Sequence, residues 1–292
     1  MSLMSGQTKY DAILVAGEGK SSYKVHHQNK AFLTINGKCL IHYIVETLQQ
    51  VESIRDIYVV GPKENLDQVF LSGHVDLKSP KRIHIVEQRT TLYENIWHTF
   101  LQSLKDENGE VQNTEPHRDR AVLIVPCDAP MMTPQEVEYF ISHADMGKYD
   151  HVLGLVSREN LKYFYPQKKM PGIKMAYIHF KEASFRLNNL HLVKPLRIEN
   201  REYIQKMYQY RYQRNLKNLV LLGLSLFGKE KTRHYKTYIG LQLCLFFANL
   251  GLDFLVDYFR NLNPRKELER IIGTIMKTRF KTLEVPYPGG SS

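Results

Sequence analysis

The sequence predicts an α/β protein built around a mostly parallel β-sheet. Short apolar runs bounded by turn residues alternate with segments of helical periodicity, which is typical of βαβ units. With 292 residues, of which 43% are hydrophobic, the chain can bury one continuous core. Three widely spaced cysteines, Cys39, Cys127 and Cys244, give neither a disulfide framework nor a zinc pattern, so we expect a reducing, cytoplasmic setting.

The first elements are predicted as strands that are each followed by a helix. The strands are Ala12–Ala16, Asp56–Pro62 and Ile83–Glu87, and the helices are Leu40–Val51, Lys63–Phe70 and Leu92–Leu104. Ala121–Val125 is almost fully apolar, so we expect a central strand that is covered on both faces. Thr133 and Pro134 then begin a helix, with Thr133 as its N-cap. Later strands are predicted at His151–Val156, Lys174–Phe180, Leu190–Lys194 and Phe280–Val285.

These elements divide the chain into four parts. Residues 1–9 form an unstructured leader, 10–198 the core, 199–278 a helical insertion, and 279–292 the last core strand with its tail. The most apolar stretch, Tyr238–Phe259, is interrupted by Gln242, Asn249 and Asp253, which favours a buried or interfacial helix over a membrane span.

The net charge of +10 favours anionic partners. Much of the excess lies in a basic helical block, Arg197–Lys236, which also contains the apolar run Leu219–Phe227. This mixture suits an anionic membrane surface or a homodimer interface, while nucleic acid is not expected.

A glycine-containing loop follows the first predicted strand. Glycines at Gly17 and Gly19 allow backbone N–H groups to approach phosphate oxygens, and Lys20, Lys24 and Lys30 supply positive charge nearby. The loop could also be an ordinary structural turn. A P-loop is disfavoured because its first glycine would fall at Leu14, inside the strand.

Asp128 follows the central strand between Pro126 and Pro130, at the sheet edge where α/β proteins bind ligands. A carboxylate there suits Mg²⁺, which takes one or two carboxylates and completes its shell with phosphates and water. The alternative is a turn or capping residue. Cys127 is read as a small packed hydrophobe.

Five segments resemble the MobA-like nucleotidyltransferase family. Ala12–Gly19 and Asn29–Ile41 are similar to its opening pattern, LAGGxGxR followed by a lysine and Gly-Lys, and Ile124–Pro134 is similar to its metal-binding segment. Thr91–Ile96 and Asn189–Pro195 are similar to one uncharacterised branch of the family. The resemblance covers most of 12–195 and returns at 285–288. It implies a three-layer α/β/α sandwich of the nucleotide-diphospho-sugar transferase type, with NMP transfer from an NTP to a phosphate- or alcohol-bearing acceptor.

The resemblance also assigns roles to residues. Ala16, Gly17, Glu18 and Gly19 would cradle the NTP phosphates with Lys20 and Lys24, Lys30 would neutralise the reacting phosphates, and Asp128 would hold Mg²⁺. Glu94 and Asn95 would line the nucleotide or acceptor cleft.

The chain departs from the family pattern at two places. Ser21 stands where the motif has arginine, and Gly289–Ser292 stands where a terminal Asp/Asn-x-Asp/Asn segment supplies a metal-side residue, which leaves Asn189 as the candidate second ligand. A non-catalytic nucleotide-binding protein therefore remains an alternative. The basic helical block with its apolar run leaves a second one, a membrane-surface enzyme acting on a lipid precursor. A glycosyltransferase is disfavoured because Cys127-Asp128-Ala129 is not a DxD motif.

Overall fold

The fold is described here from a computed structural model, which covers residues 8–18, 29–71, 80–105, 109, 113–166, 172, 175–201, 203–204 and 232–291. The described strands are β1 Tyr10–Val15, β2 Thr34–Ile35, β3 Lys38–Cys39, β4 Ile54–Gly61, β5 Ile83–Glu87, β6 Val122–Pro126, β7 His151–Ser157, β8 Ile178–His179, β9 Ser184–Val193 and β10 Phe280–Glu284. The described helices are α1 Leu40–Gln50, α2 Lys63–Leu71, α3 Leu92–Ser103, α4 Pro134–His143, α5 Thr232–Asn249, α6 Asp253–Phe259 and α7 Arg265–Met276.

Eight of these strands form one sheet in the order β10-β7-β9-β6-β1-β4-β5, with β8 beside β9. The pairs β1–β4, β1–β6, β4–β5 and β7–β10 are parallel, whereas β9 runs antiparallel to β6, β7 and β8. The mostly parallel sheet confirms the predicted fold class. It also confirms that the apolar run in β6 is central, since β6 lies between β1 and β9.

Helices cover both faces of the sheet and make it the middle of three layers. On one face, α1, α2 and α4 pack through residues such as Ile44, Leu66 and Phe140. On the other face, Phe100 of α3 packs against Ile13 of β1, and α7 lies near β9 through Met276. A strand enclosed in this way must be apolar on both sides, which explains the continuous apolar runs in β1 and β6.

The predicted strands at Lys174–Phe180 and Leu190–Lys194 were wrong in extent. β8 comprises only Ile178–His179 within the described residues, and β9 begins at Ser184. The sequence hides β9 because polar residues interrupt it and because it contains a bulge. Asn188–Leu190 face the single residue Gly154, since Leu153 pairs with His191 and Leu155 with Leu187. Asn189 adopts a left-handed φ of 64°, which asparagine tolerates better than most residues.

A short hairpin, β2–β3, was not predicted. Its turn is Asn36-Gly37, in which both residues have positive φ (52° and 79°), as a two-residue hairpin turn requires. Strands of two residues are too short to show an alternating pattern.

The apolar stretch Tyr238–Phe259 is not one helix, because the chain turns between α5 and α6 at Gly251, whose φ is 71°. None of the helices in the described ranges has the length and apolar character needed to cross a bilayer. Most of the basic block, including Leu219–Phe227, lies outside the described residues. The four-part division of the chain stays a prediction, although α5, α6 and α7 do fall between β9 and β10 in the chain.

Candidate active site

The candidate site lies at the carboxyl ends of β6, β1, β4 and β5, which are neighbouring parallel strands. Ala16 directly follows β1, Gln88 directly follows β5, and Asp128 lies two residues beyond β6. Parallel strands present these ends at one edge, which is where open α/β sheets bind ligands.

Backbone and side-chain hydrogen bonds fix the start of the β1 loop. Ala16 N donates to Val60 O at 2.8 Å, and Cys127 N donates to Val15 O at 3.2 Å. Asn29 was not identified from the sequence as a site residue, yet its Nδ2 donates to Ala16 O at 2.8 Å and its Oδ1 accepts from Ala31 N at 3.0 Å. Asn29 therefore ties the β1 loop to the short helical turn that begins with Lys30.

This connection brings Lys30 to the carboxylate at the end of β6. Lys30 Nζ lies 2.9 Å from Asp128 Oδ2, and the two side chains are 40% and 35% exposed. The two residues are separated by 98 positions in the sequence. The structure thus brings together a cation and a carboxylate that both reach solvent at the edge of the sheet.

The β1 loop is also approached from the β5 side. Gln88 Oε1 accepts from Glu18 N at 2.6 Å, and a Cβ added at Gly17 would lie only 2.6 Å from Asn95 Nδ2. Only glycine fits between these side chains without displacing them. Gln88 was missed from the sequence, and the only signal it carries is its position immediately after a strand.

The two predicted α3 residues have different surroundings. Glu94 is exposed and forms a capping box, in which its carboxylate accepts from Thr91 N at 3.0 Å and its own N–H donates to Thr91 Oγ1 at 3.1 Å. Asn95 is 5% exposed, and its Oδ1 accepts from Arg89 N. Asn95 therefore faces the loop at Gly17, while Glu94 caps the first turn of the helix.

Cys127 is buried beside Asp128. Burial, together with the negative charge of Asp128, raises the pKa of Cys127 to about 12, so the thiol stays protonated at neutral pH. A protonated thiol is a poor nucleophile, in agreement with a packing role.

Asp128 has the chemistry of a magnesium ligand. Its Oδ2 contacts Lys30, whereas its Oδ1 accepts no hydrogen bond from the residues that the structure describes. Within those residues, no group of three or more His, Cys, Asp or Glu side chains could hold a metal ion. A single carboxylate fits Mg²⁺ only when phosphates and water complete the shell, as in many nucleotide sites.

Asn189, the candidate second ligand, lies in the β9 bulge and interacts with the segment that follows β10. Its Nδ2 donates to Gly290 O at 2.9 Å. Beside it, the fully buried Asn188 donates through Nδ2 to Glu136 Oε1 at 2.6 Å, and the same oxygen accepts from Gly290 N at 2.9 Å. Burial raises the pKa of Glu136, while these N–H groups oppose the shift.

The predicted site residues Gly19, Lys20 and Lys24 lie outside the described residues. A surface cavity of about 560 Å³ opens near the carboxyl ends of β7 and β10. It is lined by both polar and apolar surface, from Glu159, Asn160, Lys162, Tyr163, Pro286 and Pro288.

The sequence matches one known protein family. The family model for the MobA-like NTP transferase domain matches residues 12–220. A hypothetical transferase from Thermus thermophilus is similar in structure, with a TM-score of 0.62, 17% identity and coverage of 98% of this chain and 96% of that one.

Two further solved structures are more distant. 4-diphosphocytidyl-2C-methyl-D-erythritol synthase from Anaerococcus prevotii has a TM-score of 0.45 and 12% identity, over 98% of this chain and 92% of that one. A CMP:2-keto-3-deoxy-manno-octonic acid synthetase complexed with CTP has a TM-score of 0.45 and 11% identity, over 95% and 90%. No curated protein matches the sequence significantly.

Proposed function

The chain belongs to the MobA-like NTP transferase family, and we propose that it transfers NMP from an NTP to a phosphate- or hydroxyl-bearing acceptor and releases pyrophosphate. The observation that carries this proposal is the contact between Lys30 and Asp128, at the same edge of the sheet as the glycine-containing loop after β1. A cation, a carboxylate and an accessible backbone are what a triphosphate with its metal ion requires.

In the proposed reaction, an acceptor oxygen forms a bond to the α-phosphorus and the bond from that phosphorus to the bridging oxygen breaks. The electron pair leaves with pyrophosphate, and the acceptor loses its proton to solvent or a nearby base. No covalent enzyme intermediate is needed, which agrees with the protonated state of Cys127. Positioning and charge neutralisation supply most of the rate enhancement.

The chain's own residues divide this work. Lys30 neutralises negative charge on the phosphates, and Asn29 holds the Lys30 turn against the β1 loop. Gly17 and Glu18 begin the loop that would approach the phosphates; Asn95 lies beside Gly17, and Gln88 accepts the Glu18 N–H. Asp128, with Asn189 as a candidate second oxygen ligand, would hold Mg²⁺, which when bound supplies further charge neutralisation.

The cavity near β7 and β10 is a candidate position for the acceptor. It lies on the side of β6 opposite β4 and β5, so an acceptor there would approach Asp128 from the side away from Gln88. Lys162 and Asn160 offer hydrogen-bond donors to a phosphate or hydroxyl group.

A pyrophosphate-release screen tests the proposal. Each of the four common ribonucleoside triphosphates is incubated with Mg²⁺ and a panel of sugar phosphates, polyol phosphates and cofactor precursors. At least one combination should release pyrophosphate, and this release should disappear in Asp128→Ala. NTP binding without release across the panel would instead favour the non-catalytic alternative, for which Ser21 at the arginine position is the motivation.

A second candidate function is the same transfer at a membrane surface. It is favoured by apolar side chains on α5, on α6 and in the turn between them that are exposed to solvent, namely Ile239, Phe246, Leu250, Phe254 and Tyr258. Sedimentation with anionic liposomes tests it, because binding should be strong at low salt and fall as salt screens the basic residues. A dimer in light scattering, with little recovery on liposomes, would favour a subunit interface.

A further inference from the structure

Glu136 is a fully buried carboxylate that the proposed reaction does not use. It lies in the first turn of α4, where its backbone N–H is capped by Thr133 Oγ1 at 3.2 Å. Its side chain does not cap the helix in return. Instead, its Oε1 accepts from Asn188 Nδ2 and from Gly290 N, and so joins α4 to the β9 bulge and to the segment after β10.

The segment Pro286–Ser291, here called the post-β10 segment, is packed tightly at its last residues. Gly289, Gly290 and Ser291 are all buried. A Cβ added at Gly289 would lie 2.2 Å from Met131 O, and one at Gly290 would lie 2.5 Å from Asn188 O. Ser291 Oγ donates to Leu187 O at 3.1 Å. The segment thus fills the space between β9 and the chain at Met131, where only glycine fits.

Met131 belongs to the loop that carries Asp128. The loop turns back on itself through a hydrogen bond from Met132 N to Ala129 O at 3.1 Å, and Thr47 Oγ1 of α1 donates to Met132 O at 3.0 Å. On the other side of the loop, Met131 O lies close to Gly289 of the post-β10 segment. Asp128 itself is held by Lys30 and by the hydrogen bond from Cys127 N to Val15 O, while α1 and Gly289 contact the loop further on, at Met132 and Met131.

The same segment reaches Asn189. Gly290 is bonded through its N–H to Glu136 and through its carbonyl to Asn189 Nδ2. The β6–β9 pairing ends with Ile124 opposite His191, so Asn189 lies two residues from the last residue of β9 that pairs with β6. Both candidate metal-side residues are thus adjacent to one buried segment.

We propose that Glu136 is a positioning residue, whose carboxylate fixes the post-β10 segment between the Asp128 loop and the β9 bulge and so holds Asp128 and Asn189 in register. The consequence for catalysis rests on the proposed function. The structural part does not, because it concerns how firmly two segments are held.

The test compares Glu136→Ala with Glu138→Ala, because glutamine would keep a side-chain oxygen that accepts both hydrogen bonds. Glu138 lies on the same helix and its carboxylate also accepts a backbone N–H and a hydroxyl, from Ser53 at 2.9 and 2.6 Å, but at the far side of the helix from the post-β10 segment. Hydrogen exchange measured by mass spectrometry should rise in peptides covering 127–133 and 286–291 for Glu136→Ala and stay at the wild-type level there for Glu138→Ala. Should 286–291 exchange faster while 127–133 is unchanged, the segment does not hold the loop and the proposal is overturned.

Gly289→Ala tests the same contact from the other side and serves if Glu136→Ala fails to fold. Its new methyl group would lie 2.2 Å from Met131 O and 2.6 Å from Glu136 Oε2, so both must shift and exchange in 127–133 should rise. Unchanged exchange there in a folded Gly289→Ala protein would also overturn the proposal.

Once an active substrate pair is identified, Glu136→Ala should lower kcat roughly ten- to a hundredfold and leave KM for the NTP near its wild-type value, because misplaced reacting groups affect turnover more than binding. A rise in KM with kcat unchanged would contradict positioning. If no pair releases pyrophosphate from the wild-type protein, the proposed function fails, while the exchange experiment still decides the role of Glu136.

Discussion

Replacing Lys30 by alanine should separate binding from stability. The Lys30–Asp128 pair is short, at 2.9 Å, but both side chains are more than a third exposed. Exposed ion pairs contribute at most about 1 kcal/mol to the free energy of unfolding. A charge-assisted hydrogen bond to a phosphate contributes roughly 1.5 to 3 kcal/mol to binding, which corresponds to a loss of about 10- to 150-fold in affinity. We therefore expect nearly unchanged unfolding in urea and a large rise in the Kd for the NTP with Mg²⁺, measured by calorimetric titration.

Lys38→Ala is the matched control. Lys38 also forms an ion pair, with Glu46 of α1, but it lies on the β3 side of the hairpin and was not assigned to the site. It should lose a similar small amount of stability and keep its NTP affinity. If the NTP stabilises Lys30→Ala as much as the wild-type protein, Lys30 has a structural role and the assignment of the phosphate site is wrong.

Three other predictions concern turnover and stability. Asp128→Ala should abolish Mg²⁺-dependent pyrophosphate release with little change in Tm, and retained turnover would remove Asp128 from the metal site. Replacing Asp11, which is 1% exposed and accepts from two arginine side chains, by alanine should lower the free energy of unfolding by roughly 1.5 to 3 kcal/mol, because its charged hydrogen bonds are lost while the arginine side chains, 48% and 25% exposed, still reach water. The exposed Asp119→Ala is the control and should cost less. Burial, with the nearby His191, holds the pKa of His151 well below its ordinary value, so the unfolded chain binds a proton that the folded chain does not. The stability that neutral His151 provides is fully present above about pH 6.5, and it is lost as the pH falls below this value, by up to roughly 1.4 kcal/mol per pH unit. In urea unfolding, the free energy of unfolding of His151→Gln should therefore fall less steeply with acid than that of the wild-type protein. An unchanged pH slope would contradict the assignment.

The parts of the site that were predictable from sequence are those with a local signal. The apolar run of β6 followed by Pro126 and Asp128 combines a buried strand with a polar turn, and both properties are visible within ten residues. Gly17 is similarly marked by the strand before it. The contact between Lys30 and Asp128 was not predicted, because the family resemblance gave the two residues separate roles and nothing local connects residues 98 positions apart.

The parts that were missed depend on tertiary contacts. Gln88 is an ordinary polar residue after a strand until the β1 loop approaches it. Glu136 has the pattern of a helix-start residue, but burial next to Gly290 and Asn188 turned its side chain inward. The length of β9 was underestimated because its two asparagines bond to Glu136 and to the Gly290 segment. Sequence periodicity gives no sign of such contacts.

The position of β10 in the sheet has a consequence for biosynthesis. β10 pairs with β7, and Phe280 lies opposite His151 although the two are far apart in the chain, with α5, α6 and α7 made in between. Closing so long a loop adds little to the equilibrium cost, since the entropy grows only with the logarithm of length, but pairing of this kind is slow to form. During vectorial synthesis, β1 to β9 can pair before β10 leaves the ribosome. The glycines that contact Met131 and Asn188 are then the last to dock, so a nascent chain can hold a nearly complete sheet while the loop that carries Asp128 still lacks one of its supports.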